Sequence, residues 1–296
     1  MSAVTATTLS AAPRASRGLW RDAFARLIRN GPAMVGLFLI VLFVLGAIFA
    51  PVISHYDPTV GILTDRYQSP SLDHLMGTDK LGRDEFTRVL YGARISLTVG
   101  VVAVLFGLIG GVVIGAIAGG AGGMVDGILM RIVDVFLAVP GILLAIGIVS
   151  WLGHGELQIM LAVGIAYAPM FARLLRGSLL ALRESDYVTA ARSMGASPIR
   201  ILVRHMMPNA LTPLIVQATL FTATAIIDVA GLGFLGLGPG DVRIAEWGEM
   251  LTESSGFLQN YPFLVFGPGM VIVISAIGFN LLGDGLREAL DPRLKR

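Results

Sequence analysis

The chain has 296 residues, 55% of them hydrophobic and only 14% charged, against roughly 25% charged in a typical soluble domain, which excludes a soluble globular fold. It contains no cysteine, so neither a disulfide framework nor a thiolate metal site can be built. A net charge of +2 gives no basic surface for nucleic acid, and what matters is where the charges fall along the chain.

Residues 1–32 form a polar arm holding Arg14, Arg17, Arg21, Arg26 and Arg29. The apolar run Ala33 to Ile53 is too long for a signal-peptide core and lacks a small-x-small cleavage site, so it predicts a retained first transmembrane helix. Residues 54–94 then read as an outer loop containing the mixed-charge string "HLMGTDKLGRDEFTRVLYGARISL". Five more apolar segments of spanning length follow, at Ile95–Gly119, Ile128–Leu152, Leu157–Arg176, Ala210–Val229 and Phe263–Leu282. The fold class is therefore an all-α polytopic membrane protein with six transmembrane helices. Its core is 95–285, with an inner loop at 177–208, an outer loop at 230–262 and a tail at 286–296. An even number of spans places both termini on one side. If the arm is cytoplasmic, 16 of the 22 basic residues lie inside, as the positive-inside rule requires.

Glycines 107, 111, 115, 119 and 123 recur every four residues along the second span, a ridge against which another backbone can pack closely. On the third span, Arg131 and Asp134 are three residues apart and are expected to pair structurally near the cytoplasmic end. Pro140-Gly141 and Pro169 can kink the third and fourth spans. Gln217, Thr219, Thr222, Thr224 and Asp228 make the fifth span unusually polar; lining of a wet pathway and hydrogen bonding between helices fit this equally well. Residues 230–262 open with a Gly-rich apolar half able to dip back into the membrane, then continue as the loop-like "TESSGFLQNYP". Asn280 and Asp284, four apart near the inner end of the last span, fit interface packing.

The inner loop has the most structure of its own. In "YVTAARSMGASPIRILVRHMMPNA", Ser185 or Asp186 can cap a helix whose Tyr187, Ala190, Ala191 and Met194 share one face. Gly195 supplies a left-handed stop. Ser197 then caps a second helix with Pro198 at its first position and Ile199, Leu202, Val203 and Met206 on one face. Pro208 is expected to close this unit before the fifth span. Such a helix–Gly–helix insert, basic through Arg192, Arg200 and Arg204, reads as a docking surface for another protein, although an amphipathic anchor on anionic headgroups has the same spacing.

None of the four histidines, His55, His74, His154 and His205, sits mid-span, and no pair has metal-ligand spacing. There is no GxxxxGK[ST] phosphate loop, so no cofactor is expected on this chain and any ATP and Mg would be used by a partner. A secondary transporter would need an ion-coupling site and repeated halves. A membrane enzyme would need a catalytic dyad, and the deep acids Asp134 and Asp228 lie on different spans.

The inner loop resembles the "EAA" loop of permease subunits of binding-protein-dependent ABC importers. Ala190, Ala191 and Gly195 match in register, Thr189 stands where that motif has Glu, His205 takes an aliphatic place, and Met207-Pro208 replaces Leu-Pro. The blocks "HLMGTDKLGRDEFTRVLYGARISLTVG", "MRIVDVFLAVPGILLAIGIV", "GFLGLG", "EWGEML" and "FNLLGDGLREALDPRLK" are similar to the second permease subunit of the dipeptide/oligopeptide/nickel group, nearest its dipeptide branch. Residues Pro239–Ala245 depart from the Pro-rich outer loop usual there. The resemblance implies a type I importer permease fold in the bacterial inner membrane. It makes Tyr187, Thr189, Ala190, Ala191, Arg192, Met194, Gly195 and Pro208 the ATPase-coupling loop. It also implies a second homologous permease subunit, two cytoplasmic ATPase subunits and an extracytoplasmic binding protein as partners. The implied substrate is a dipeptide or short peptide, with a nickel chelate or glutathione as alternatives.

Overall fold

A computed structural model describes residues 19–238 and 245–290 of the chain, and among these the regular structure is helical. The arm before residue 19, the segment 239–244 and the tail after 290 lie outside the described residues. So do the expectations placed on Arg14, Arg17 and most of Pro239–Ala245.

Helix α1 (Leu19–Arg29) precedes α2 (Gly31–Ile53), the first span. The arm is therefore helical near its end. Asn30 joins the two helices: its side-chain oxygen accepts from the amide of Ala33 at 3.0 Å, and its Nδ2 donates to Glu288 at 2.6 Å. Pro32 occupies the first turn of α2, where a missing N–H costs nothing. Most large side chains of α2, including Phe38, Ile48 and Val52, are exposed, as suits a helix in lipid or against a partner.

Helix α3 (Glu85–Ala121) has 37 residues and at 1.5 Å per residue extends about 55 Å, far more than the roughly 30 Å hydrocarbon core. It begins ten residues before the apolar run does, because Asp84 caps it by accepting from the amide of Thr87 at 2.7 Å. Its polar first turns are buried in protein outside the membrane. Glycines 107, 111, 115 and 119 lie against α6 (Glu156–Arg183). A Cβ on Gly107 would stand 2.9 Å from the Gly164 carbonyl, one on Gly111 2.7 Å from that of Ala168, and one on Gly115 2.7 Å from that of Ala172. Gly123 leaves the ridge, sitting with φ +56° in the turn that opens α4.

The third span is broken. Helices α4 (Gly123–Leu137) and α5 (Gly141–Leu152) are bent 90° from each other, at the Pro140-Gly141 step. Helix α6 runs through Pro169 without interruption. Trp151, 84% exposed at the end of α5, suits the membrane interface.

Helix α7 (Asp186–Ser193) follows, then α8 (Pro198–Arg200), a π-helical stretch Ile201–Met206, and α9 (Met207–Leu232). A second π stretch, Gly233–Leu237, ends where Gly236 turns to φ +76°. The outer segment then holds a regular helix, α10 (Trp247–Ser255), in place of the expected loop, and α11 (Phe263–Leu290) closes the fold. Helix α10 forms because Glu246 caps it through the amide of Glu249 at 2.9 Å while Trp247 is fully buried. Among the described residues, five helices are long and apolar enough to span a membrane, or six when α4 and α5 count as one.

Candidate functional site

Helix α7 ends in a Schellman motif. The amide of Gly195 donates to the carbonyl of Arg192 at 3.0 Å and that of Ala196 to Ala191 at 3.1 Å, with Gly195 at φ +78°. Ser197 caps the next helix, its hydroxyl accepting from Arg200 at 3.4 Å. Ser185 holds the N-cap position of α7, but its hydroxyl bonds back to Leu182 instead of capping.

The face assigned to this loop needs correction. Val188 and Ala191 are the buried residues of α7, 0% and 3% exposed, and they join Leu179, Ile201, Met206 and Ala210 in the main apolar core. Ala191 therefore anchors the loop to its own chain, while Tyr187, Thr189, Ala190, Arg192 and Met194 are exposed. The Tyr187 hydroxyl accepts from Asn209 at 3.4 Å. Val188 was passed over because Tyr187, Ala190 and Met194 give an equally regular 3.6-residue stripe. The signal that could have found it is that Val188 and Ala191, three apart, form a competing stripe, and Val188 is its one large apolar residue.

Pro208 does not close the loop unit either. The chain winds continuously from Pro198 into α9, because the π turn supplies an i→i−5 bond, Met207 amide to Leu202 carbonyl, just before the proline that lacks a donor. The loop is thus joined stiffly to the fifth span. Its outward surface carries Met194 at 82% exposure, Ile199 at 76% and Val203 at 61%, among the exposed Arg192, Arg200 and Arg204. An apolar patch with a basic rim, too polar for hydrocarbon, fits a protein partner. Behind it lies a cavity of about 570 Å³ lined by Gly119, Arg183, Glu184, Arg192 and Leu202.

The polar positions on the spans sort differently from expectation. Asp134 pairs with Arg173 of α6 and not with Arg131, which is exposed: i,i+3 spacing brings two side chains near, but the packing of α4 on α6 sets the Arg173 guanidinium directly against the carboxylate. Asp126 and Arg176 form a second, two-pronged α4–α6 pair at 2.9 and 2.6 Å. Thr222 is buried and donates to its own helix at Ala218, 2.9 Å away, so it faces no pathway. Asp228 accepts from the Tyr167 hydroxyl at 2.6 Å. Gln217 is half-buried and lines a groove of about 830 Å³ with Arg173, Ser178 and Phe221. Asn280 and Asp284 are both exposed on α11.

A second constellation, on the outer side, was not foreseen. Asp79 Oδ2 receives Arg83 Nε at 2.6 Å and Arg88 Nη1 at 2.7 Å, and each guanidinium also lies 3.0 Å from Glu253 of α10. His74 Nδ1 stands 2.9 Å from Asp84. Burial pushes the Glu253 carboxyl above the ordinary glutamate range, and Arg83 and Lys80 pull it back. Burial likewise raises Glu246, against hydrogen bonds from Gly248, Glu249 and Ser96. This network ties the loop 54–84 and the head of α3 to α10. It reads as a structural cap, because its charges face one another and are almost wholly buried.

Helices bundled for a bilayer, with a stiff inner loop that presents an exposed apolar patch, are the architecture of a transport permease. The family model "Binding-protein-dependent transport system inner membrane component" matches residues 111–296, and "N-terminal TM domain of oligopeptide transport permease C" matches 18–70. The chain belongs to the family of binding-protein-dependent inner-membrane permeases and is a multi-pass membrane protein. It is 47% identical over 276 residues to the dipeptide transport system permease protein DppC of Alkalihalophilus pseudofirmus, covering 93% of this chain and 90% of that one. It is 44% identical to the oligopeptide transport system permease protein OppC of Bacillus subtilis, covering 95% and 92%. With the glutathione transport system permease protein GsiD of Pectobacterium atrosepticum it shares 42% identity, covering 93% and 92%. In fold it is similar to a chain of the MetNI methionine ABC transporter solved in an inward-facing form, with TM-score 0.57 at 22% identity over 69% of this chain and 96% of that one.

Proposed function

We propose that this chain is a permease subunit of an ATP-driven importer that moves dipeptides or short peptides into the cytoplasm. It would act with a second, homologous permease, two cytoplasmic ATPases and an outer binding protein, with both of its termini cytoplasmic. The observation that carries the reading is the inner loop: Val188 and Ala191 are fixed in the core while Met194, Ile199 and Val203 are presented outward. A stiff element with a free apolar face can transmit force to the spans that hold it. Swinging a two-state pathway from 1:99 to 99:1 takes about 5.5 kcal/mol of differential binding, which a loosely tethered loop would dissipate.

In this reading the chain binds no cofactor, and ATP and Mg belong to the ATPase partners. Thr189, exposed where the motif has Glu, offers no carboxylate for an ion pair with them, so docking rests on the apolar patch and its basic rim. The peptide substrate is supported by the DppC and OppC relatives. Glutathione, itself a tripeptide, is the second reading, supported by the GsiD relatives at 42% and 43% identity.

The test is uptake of a labelled dipeptide in cells lacking this chain, with and without re-expression, alongside Ala190→Asp and Met194→Asp. Both variants place charge on the outward face, so each should fold normally, keep ATPase activity in the complex and lose most uptake. Normal uptake in both would sink the docking assignment. Uptake of glutathione or nickel but not dipeptide would keep the importer and change the substrate.

A further inference from the structure

The groove shared by α6 and α9 holds charge at a depth where a bilayer does not tolerate it. Arg173 lies ten residues along α6 from Arg183, and Gln217 ten residues along α9 from Met207, each about 15 Å at 1.5 Å per residue, and Asp134 of α4 reaches Arg173 there. On α6 that sets Arg173 within the inner half of a roughly 30 Å hydrocarbon core. The side chains of Arg173 and Asp134 are nevertheless 54% and 58% exposed. Charges so placed face water or a pathway, not lipid. Nor is this pair needed alone to clamp α4 onto α6. The Asp126–Arg176 pair already does so, with two hydrogen bonds and Asp126 only 14% exposed.

We propose that Arg173 and Asp134 form a transit site for the two charged ends of a short peptide: Arg173 takes the terminal carboxylate and Asp134 the terminal ammonium. In the empty pathway the two neutralise each other. An arriving zwitterion exchanges one internal ion pair for two external ones, and the internal pair re-forms when it leaves. The site therefore binds weakly, as a conduit requires. The groove of about 830 Å³ falls in the range of small-ligand sites. Its walls, Met170, Leu174 and Phe221, carry no charge and accept any side chain, and Gln217 and Ser178 can bond a peptide backbone. Selection by termini with indifference to side chains is the chemistry that peptides of mixed sequence demand. This inference rests on the importer reading and its orientation.

The test uses the complete complex in proteoliposomes, fed with dialanine, its C-terminal amide and its N-acetyl derivative. Arg173→Gln should lower dialanine uptake about tenfold or more, as loss of a charged hydrogen bond does, and leave amide uptake nearly unchanged. Asp134→Asn should show the same contrast between dialanine and the N-acetyl form. The binding protein is identical throughout, so its own preference cancels between variant and parent. Equal losses for all three compounds, or no loss, overturn the site. A parent complex that moves no peptide overturns the peptide reading as well. A second measurement leaves the pair intact: the chain has no cysteine, so Gln217→Cys and Phe38→Cys each carry a single thiol. A water-soluble maleimide should label the first, with dialanine protecting it, and spare the second, on the outer face of α2. Equal labelling, or no protection, also overturns it.

Discussion

The indole N–H of Trp247 donates to the carbonyl of Val89, 3.0 Å away and 158 residues earlier in the chain. Trp247 is fully buried, its amide donates to Ser96, and its ring meets Phe43 edge-on at 6.0 Å. One side chain thus joins α2, α3 and α10. Trp247→Phe should cost about 1 kcal/mol, for one hydrogen bond, and Trp247→Ala about 3–5 kcal/mol, for the cavity. Unfolding midpoints of the purified protein should fall in that order. Gly92→Ala should resemble the alanine variant, because its new Cβ would lie 2.6 Å from the Ala245 carbonyl and 2.9 Å from Trp247.

Asp79 is the shared acceptor of two buried arginines, so removing its charge strands both. Asp79→Asn should destabilise the outer cap by about 3–5 kcal/mol, the usual result of breaking a buried pair from one side. Arg94→Ala makes the contrasting control. Arg94 is exposed and donates to the Ala47 and Ile48 carbonyls at 2.5 and 3.0 Å, and its loss should cost about 1 kcal/mol. Denaturant titration of the two variants checks the difference.

Burial holds Glu246 above the ordinary glutamate value, the native state favouring its protonated form. A group raised on folding adds stability below its unfolded pKa and loses that contribution as pH rises through the folded value. The cap should therefore be most stable near pH 4, the ordinary glutamate value being about 4.3, and weaken as pH rises above it. Glu253 is raised in the same direction and contributes to the same slope. Glu246→Gln should flatten the dependence without abolishing it, as unfolding temperatures across that range would show. An unchanged slope in the variant would remove Glu246 from the account.

How much of this could be read beforehand depends on range. The spans were legible because bilayer crossing imposes one long apolar run per helix, and the inner loop because its cap, Gly stop and Pro start are local signals. The outer cap was not, since Asp79, Arg88 and Glu253 meet only when distant segments fold, and "GTDKLGRDEFTR" carries no period that announces burial. The same limit explains Asp134: local spacing offered Arg131, and only the packing of α4 on α6 supplies Arg173. Thr222 failed as a pathway residue for another reason, since a threonine in a helix can bond its own i−4 carbonyl and so need not face a polar space.

The glycine ridge gives a test by contrast. A Cβ at Gly111 collides with Phe171 and stands 2.7 Å from the Ala168 carbonyl, whereas one at Gly127 meets nothing within 4 Å. Gly111→Ala should therefore force α3 and α6 apart and sharply reduce the yield of monodisperse protein. Gly127→Ala should raise stability by up to about 1 kcal/mol through helix propensity alone. Size-exclusion profiles of the two variants decide it. Comparable losses in both would mean that α4 is covered in the assembled complex.

The π turn before Pro208 ties the inner loop to the fifth span in a set register. Proline has no N–H to give the Arg204 carbonyl, and its ring would press on that oxygen in a regular α-helix. The chain answers by widening to an i→i−5 bond from Met207 to Leu202, and Asn209 Nδ2 donates to the His205 carbonyl at 3.0 Å. Pro208→Ala restores the donor and removes the reason for the wide turn. The prediction is that this stretch relaxes to an α-helix and the protein becomes more stable. The loop's outward face, Ile199 and Val203 with it, then rotates relative to α9 by about the 100° that one residue of helix subtends. Uptake per ATP hydrolysed should fall while the unfolding temperature rises, a combination that a simple packing defect cannot produce. Measuring both on the same preparation is decisive: a lower unfolding temperature with unchanged coupling would show that the π turn is only tolerated and sets no register.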